Sequence, residues 1–222
     1  MNKNEPPQIL RIEPRWPVAL TILVVLGLMA VLPDRVRLFP AWFVYVIAIA
    51  ALTAIAAVPI SGAAKRWRRI ERIVTLGIVV IIGSTTIMGV ASLIRDLVSQ
   101  SKALDGLLLL STSVGMWVSN VLTFSLLFWQ LDRGGPEARM NDISKRPDFL
   151  FPQTGVPDEA PLDWRPTFVD YLFLSFTTAT AFSPTDTLPM TSHAKLLMMI
   201  ESSISLTTIA VIAARAINIL GS

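Results

Sequence analysis

Four long apolar blocks in the first 131 residues restrict what this chain can fold into. Each has roughly the 17 to 25 residues that a bilayer-crossing helix needs, and they cover residues 16–33, 39–60, 73–94 and 104–131. Because backbone groups in lipid must be hydrogen-bonded within their own segment, such blocks are expected to be helical. The chain is also 53% hydrophobic and only 16% charged, which is unusual for a soluble domain. The sequence therefore predicts an all-α, polytopic integral membrane protein with four clear transmembrane helices.

Two further helices are predicted in the last third of the chain. Residues 167–183 are apolar and aromatic, and as a helix they would rise about 25 Å, slightly less than a hydrocarbon core. Pro184 and Pro189 then interrupt regular structure. A long final helix is expected from Thr191 or Ser192, either of which can cap it. The prediction is a short, pore-like fifth helix followed by a long final helix.

Three parts follow from this pattern. Residues 1–131 form a four-helix membrane part, residues 132–165 a cytoplasmic connection, and residues 166–222 the pore-like helix, a polar turn and the final transmembrane helix. The connection is rich in proline, glycine and charge, so it is predicted to be irregular and too polar to bury a core. Its apolar patch, DFLFP (148–152), can press back onto the membrane surface.

Basic residues predict the orientation. With four alternating spans, the N-terminal tail, the KRWRRIER segment (65–72) and the connection share one side and hold 13 of the 19 lysines and arginines. The positive-inside rule places that side, and the N-terminus, in the cytoplasm. KRWRRIER is interpreted as a juxtamembrane anchor, with which a contact to anionic lipid is compatible. Basic residues at membrane flanks give no indication of nucleic acid as a partner.

The path of residues 167–189 has two solutions. Either residues 167–183 are a thin fifth span followed by an outer loop, or residues 167–180 enter and leave from the same side. The second path places Lys195 in the cytoplasm and Arg215 outside, whereas the first path does the reverse. The number of basic residues in the cytoplasm is therefore the same for both paths. Charge therefore does not decide between them.

The segment from Tyr171 to Leu206 carries a resemblance. An aromatic-rich helix ends in Thr-Thr, a short polar stretch follows, and a proline precedes the last helix. This order resembles the pore helix, filter and inner helix of two-span potassium channels. The layout of the whole chain, with Tyr171, Phe176, Phe182 and Asp186, more closely resembles a family of uncharacterised bacterial inner-membrane proteins with a domain of unknown function.

The resemblance implies a multi-pass protein of the bacterial inner membrane, assembled as a homo-oligomer in the lipid bilayer and conducting a small ion or solute. Its constriction would be TTATAFSPTD (177–186). The stretch departs from potassium filters because it has a proline and no glycine, whereas consecutive filter carbonyls need glycines to point at the ion. The alternative is a structural or accessory membrane subunit without transport activity, in which the same stretch is a helix-packing joint.

Polar residues of the last helix favour an inward-facing stripe. At about 100° per residue, Glu201 shares one face with Ser205, Thr208 and Arg215. Charges in lipid are costly, so this face is expected against protein or a wet crevice opposite residues 177–180. In the alternative interpretation, Glu201 and Arg215 reach the headgroups and the hydroxyls bond to their own helix. The predicted permeation site or polar crevice comprises Thr177, Thr178, Thr180, Ser183, Asp186, Glu201, Ser205, Thr208 and Arg215.

Three further residues carry expectations. Asp186 is expected to accept hydrogen bonds from its own turn, and Asn120, an amide in mid-span, needs a partner. His193, the only histidine, is interpreted as a surface residue. With no cysteine, one histidine and no glycine-rich phosphate loop, the sequence predicts neither an enzyme nor a cofactor or metal site.

Overall fold

The computed structural model describes residues 13–31, 40–61, 65–98, 106–141, 146–156, 159–161, 164–180 and 186–220. Within these ranges the chain is all-helical, as predicted. The helices are α1 (Trp16–Val31), α2 (Ala41–Ile60), α3 (Lys65–Val98), α4 (Gly106–Leu131), α5 (Pro136–Asn141), α6 (Pro152–Gly155), α7 (Phe168–Thr180) and α8 (Ser192–Leu220). A 3-10 turn covers Asp132–Gly134, and two short strands, β1 (Phe149–Leu150) and β2 (Leu188–Pro189), pair in antiparallel fashion.

The first four helices alternate in direction. Arg15, just before α1, bonds to Glu71 near the start of α3 and to Glu137 shortly after α4. The starts of α1 and α3 and the end of α4 therefore lie together, and we call this the basal end. Helix α2 packs against both α1 and α3 and ends shortly before α3 begins.

Three helical stretches among the described residues are long and apolar enough to cross a membrane: Arg66–Ser92, Leu110–Gly134 and Ser192–Ala214. The first predicted span corresponds to a shorter apolar helix, Trp16–Val31, and the second to α2, in which Tyr45–Ile60 is the apolar stretch among the described residues. A helix of 16 residues rises about 24 Å, which is less than a hydrocarbon core of about 30 Å. The expectation of four clear spans is therefore not confirmed, while the architecture remains compatible with a membrane protein.

Helix α4 lies at the centre of the bundle and α8 at its edge. Helix α4 packs against α1, α3, α7 and α8. The apolar 18-residue stretch that could cross a membrane is 61% buried in α4, compared with 22% in α8. The main core fills the space around α4 near the basal end. Its largest fully buried side chains include Ile22, Ile82, Leu126, Phe128, Trp129, Phe149, Phe168 and Tyr171.

Helices α7 and α8 lie side by side and run in the same direction. The Ser175 hydroxyl contacts Glu201, and one turn further along both helices the Ser205 hydroxyl donates to the carbonyl of Ala179. Because both residue numbers rise together, the helices are parallel. Helix α7 starts at the basal end, where the backbone N–H of Phe168 donates to Glu13.

The chain is back at the basal end before α8 begins. Strand β2 pairs with β1, with Leu188 opposite Leu150, and Met190 N donates to the carbonyl of Asp148 at 2.8 Å. The Thr191 hydroxyl donates to the Asp148 carboxylate and accepts from Ala194 N, so it caps α8 as predicted. These contacts agree with the second path for residues 167–189, in which α7 enters the bundle and the chain returns to the same end.

The prediction that residues 132–165 are irregular and too polar to bury a core is wrong for the described part of that segment. It contains the 3-10 turn, α5, β1 and α6. Phe149 and Phe151 are buried in the main core, and the ring of Phe149 packs against Phe128 and Tyr171. The two phenylalanines of DFLFP lie inside the bundle because the return of the chain before α8 gives this patch a strand to pair with and aromatic rings to cover.

Candidate functional site

The interface between α7 and α8 is formed by serines that bond across the two helices. Ser202 donates to the carbonyl of Thr178 at 3.3 Å, and Ser205 donates to that of Ala179 at 2.6 Å. Ser175 lies 2.7 Å from the carbonyl of Val121 on α4 and also contacts Glu201. Small hydroxyl side chains allow helices to approach closely, and here they join α4, α7 and α8 into one unit.

Glu201 lies at the centre of this unit. Its side chain is fully buried, and Oε1 contacts the Ser175 hydroxyl. Oε2 is buried and has no hydrogen-bond partner among the described residues. The carbonyl of Glu201 accepts from Asn120 Nδ2 at 3.3 Å, which supplies the partner that the amide in α4 requires. We call Asn120, Ser175, Glu201 and Ser205 the inner polar cluster.

The threonines of the predicted site behave differently from the serines. Thr177, Thr178, Thr180 and Thr208 all donate to carbonyls three or four residues earlier in their own helix. Thr178 and Thr208 are buried, whereas Thr177 and Thr180 are half-buried. Residues 177–180 therefore do not face α8 as a hydroxyl-lined wall. Their contribution to the interface is the backbone carbonyls of Thr178 and Ala179.

The remaining predicted site residues lie apart or outside the description. Asp186 is exposed near the basal end, two residues before β2. Ser183 and the side chain of Arg215 fall outside the described residues. The structure thus brings Glu201, Ser205 and Thr208 together on one buried face and leaves Asp186 outside it. His193 is 62% exposed, as expected of a surface residue, and its Nε2 lies 2.8 Å from Asp148.

A second, larger polar cluster lies at the basal end and was not predicted. Its hub is Glu13, which is 2% exposed. One of its oxygens accepts from Phe168 N at 2.8 Å, the other accepts from Arg139 at 3.0 Å, and Trp129 Nε1 lies 3.0 Å from both. The carboxylate therefore caps the positive end of α7 while it pairs with a fully buried arginine.

Arg15 forms the second half of this cluster. Its guanidinium bonds to the carboxylates of Glu71 and Glu137 and lies 5.5 Å from the centre of the Trp129 ring. Arg15 is 7% exposed. Burial of so many charges is tolerable only when each is paired and hydrogen-bonded, which is the case for these residues.

Asp132 extends the cluster towards the start of α8. It is fully buried and accepts from the Tyr171 hydroxyl and from the backbone N–H of Asp148 and Phe149. Burial raises the pKa of the Tyr171 hydroxyl well above its ordinary value, so this group stays protonated and donates. Together, Glu13, Arg15, Glu71, Asp132, Glu137, Arg139, Asp148 and Tyr171 form what we call the basal collar.

The collar fixes the starts of both α7 and α8 at the basal end. Glu13 and Asp132 hold the first turn of α7, and Asp148 holds Thr191 at the start of α8. Arg165 adds a bond to the carbonyl of Arg139 at 2.9 Å. These contacts hold α7 inside the bundle and thereby position the inner polar cluster.

One sequence signal could have indicated the collar. Glu13 is an acidic residue within a basic N-terminal tail, directly before the first apolar block. Under the positive-inside rule, three arginines in or beside the collar count only as orientation signals: Arg15, Arg139 and Arg165. Within the described ranges, no group of three or more acidic or histidine side chains could hold a metal ion.

Comparison with known proteins provides no relative from which a role could be transferred. No family model, no curated protein and no solved structure matches the chain. The function is therefore argued from the geometry alone.

Proposed function

We propose that this chain is a multi-pass membrane protein, of the bacterial inner membrane, that assembles with copies of itself and lets a small ion or solute permeate along the α7–α8 unit. The observation that carries the proposal is the parallel packing of α7 and α8 with the return of the chain to the basal end. A short helix that enters and leaves at one end is the arrangement of pore-forming loops. Non-helical backbone at membrane depth is tolerated where protein or water covers it.

The inner polar cluster suggests the class of permeating species. The Ser175 hydroxyl has one hydrogen, and the carbonyl of Val121 beside it can only accept. The proton between Ser175 and Glu201 is then best supplied by the Glu201 carboxyl group. An ionisable group buried among apolar helices is costly and commonly marks a pathway. A proton or small cation is accordingly the favoured species.

Self-association is supported by the surface of α8. Only 22% of its apolar membrane-crossing stretch is buried, and its exposed side carries Leu196, Met199, Ile200 and Leu206. If a single chain enclosed the pathway, its other helices would have to cover more of the α8 surface than they do here. Copies packed through this side would enclose the α7–α8 units around a common axis, as closed symmetric assemblies do.

The basic residues give the proposed orientation. The basal end carries the N-terminal residues Glu13 and Arg15, the arginines at the start of α3, and the described residues of the segment 132–165. These are the segments that hold most of the basic residues, so the basal end is assigned to the cytoplasm. Helix α8, which begins there, would end on the opposite side.

The second candidate function is a structural or accessory subunit without transport. Ser202 and Ser205 donate to α7 carbonyls, and the threonines bond to their own helices. These contacts satisfy the serine and threonine hydroxyls of the interface without water, as a packing joint requires. The two functions differ in what they demand of Glu201.

Replacement of Glu201 by Gln separates the two candidates. Glutamine has nearly the same shape and can donate to the Ser175 oxygen, so folding should be retained. It carries no exchangeable carboxyl proton, so ion or proton flux into proteoliposomes should fall by at least about tenfold, as when a transferable proton is removed from a pathway. Flux is measured with a pH-sensitive or potential-sensitive dye under an imposed gradient.

Ser203→Ala provides the matched control. Ser203 is exposed on α8 and donates only to the carbonyl of Met199. We expect its flux to equal that of the unsubstituted protein. Absence of flux from the unsubstituted protein for protons and for small cations would contradict permeation and leave the packing function.

A further inference from the structure

A polar cavity of about 440 Å³ lies at the basal end, between the first turns of α3 and the turn that follows α4. Its walls include Arg68, Arg69 and Arg72 from one face of α3, Gln130 from α4, and Gly134 and Gly135 from the turn. We propose that this cavity binds a phosphate group, carried either by an anionic phospholipid headgroup or by a free phosphate. The site is separate from the inner polar cluster and independent of permeation.

Charge in the cavity favours an anion. Two acidic residues, Glu71 and Glu137, also line it, but both carboxylates bond to Arg15. Arg15 balances one of these two negative charges, so the three arginines of α3 leave the cavity with an excess of positive charge. Arginine guanidinium groups match the oxygens of phosphate with two parallel hydrogen bonds.

Two buried donors lack partners at this cavity. Gln130 is 1% exposed, and its Nε2 has no hydrogen-bond partner among the described residues. Arg68 Nε is likewise buried and unpartnered within the described part of the chain. A buried donor without an acceptor is destabilising, and the anionic oxygens of a phosphate group accept hydrogen bonds. A phosphate held by Arg68 and Arg69 would also satisfy Gln130.

The turn after α4 is shaped to leave this space open. Gly134 and Gly135 have φ values of 82° and 108°, which side chains rarely adopt. A Cβ on Gly135 would lie 3.4 Å from the carbonyl oxygen and 3.5 Å from the side-chain oxygen of Gln130. Arg72 donates to the carbonyl of Gly134 at 3.2 Å and so holds the turn against α3. The contact with Gln130 would be an ordinary one, so it is the positive φ values that require glycines in this wall of the cavity.

The position of the cavity favours the lipid as the source of phosphate. The arginines lie in the first turns of Arg66–Ser92, a stretch apolar and long enough to cross a membrane. In a bilayer, these turns would stand at headgroup depth, where arginine side chains attract anionic lipids. The same cavity would accept inorganic phosphate if its opening faces water instead.

Binding to the purified full chain in detergent tests the proposal. Phosphatidylglycerol and, separately, inorganic phosphate are titrated, and the apparent dissociation constant is read from the shift in melting temperature. General attraction contributes about 1 kcal/mol for each arginine, or roughly fivefold in affinity. Arg69→Gln should weaken binding at least about twentyfold, which is more than general attraction accounts for. Arg66→Gln should weaken binding only about fivefold. Arg66 is an exposed residue of the same helix that does not line the cavity.

An uncharged substitution completes the test. Gln130→Leu should weaken binding several-fold without any change in net charge, and Gln153→Leu, at an exposed position of α6, should not. Equal losses in Arg69→Gln and Arg66→Gln would overturn the proposal, and this comparison stands even if Gln130→Leu fails to fold. An effect on phosphatidylglycerol alone identifies a headgroup site, and an effect on both ligands identifies a phosphate site open to water. Either result supports the proposal.

Discussion

At the scale of the residue, the Glu13 carboxylate joins three helices. It caps α7 at Phe168, pairs with buried Arg139 and accepts from Trp129. Glu13→Gln retains the size of the side chain but leaves the Arg139 guanidinium buried without its counterion. We expect the free energy of unfolding to fall by about 3 kcal/mol or more, as when one partner of a buried ion pair is removed. Denaturant titration of the purified protein in detergent, followed by tryptophan fluorescence, measures it.

Asp170→Asn is the matched control for this prediction. Asp170 also lies at the start of α7, where it accepts from the backbone N–H and the hydroxyl of Thr167, but it is half-buried. Its replacement should cost about 1 kcal/mol or less. Losses of similar size in the free energy of unfolding of the two variants would show that the buried Glu13–Arg139 pair stabilises the protein no more than the half-buried cap does.

The ion pairs of the collar are not contained in the local sequence, because an arginine of the collar has the same sequence neighbours as an arginine that only sets orientation. Arg15 precedes an apolar block in the same way as an orientation signal does. Its burial depends on Glu71 and Glu137, which lie 56 and 122 positions away. Glu201 was more accessible to prediction, since a carboxylate within an apolar helix must face protein wherever its partners lie.

At the scale of the element, the return of the chain after α7 is open to a direct test. Leu150 and Leu188 are opposite each other in the β1–β2 pair, where Cα atoms are about 4.5 to 5.5 Å apart. This separation is suitable for a disulfide, and the chain has no native cysteine. Leu150→Cys combined with Leu188→Cys should therefore cross-link nearly completely under mild oxidation. Mass spectrometry of peptides released without reduction identifies the bond.

Leu150→Cys combined with Met190→Cys is a positional control. Met190 N bonds to the Asp148 carbonyl, so this pair is near but out of register and should cross-link less efficiently. A fifth span through residues 167–183 would carry Leu188 to the opposite end of the bundle, roughly 25 Å away by helix rise alone. Lack of a cross-link in the Leu150–Leu188 pair would thus contradict the return of α7.

The elements were predictable to different degrees for physical reasons. Helices α3, α4 and α8 follow from hydropathy, because an apolar helix of that length needs no information about its neighbours. The direction of α7 relative to α8 depends on the contacts of Ser175 and Ser205, which a local pattern does not contain. The strand in DFLFP was missed because two residues gain strand structure only when Leu188 and Pro189 come to pair with them.

At the scale of the whole molecule, the number of crossings fixes the side on which the chain emerges. If α1 to α4 alternate across the membrane and α7 returns to the basal end, α8 is the next crossing. Its end then lies on the side opposite to the N-terminus. If residues 167–183 were instead a span, α8 would bring the chain back to the side of the N-terminus. The positions of Ser61, Gln153 and Ile217 distinguish these topologies.

Single cysteines at these three positions report the topology in intact cells through a membrane-impermeant thiol reagent. Ser61 follows α2 at the basal end and Gln153 is exposed on α6, whereas Ile217 is 70% exposed near the end of α8. With the basal end in the cytoplasm, Ser61→Cys and Gln153→Cys should be protected until the cells are permeabilised. Ile217→Cys should be labelled at once, because an odd number of crossings separates it from the N-terminus. Protection at all three positions would indicate a spanning α7, and the reverse of the expected pattern would place the basal end outside, against the distribution of basic residues.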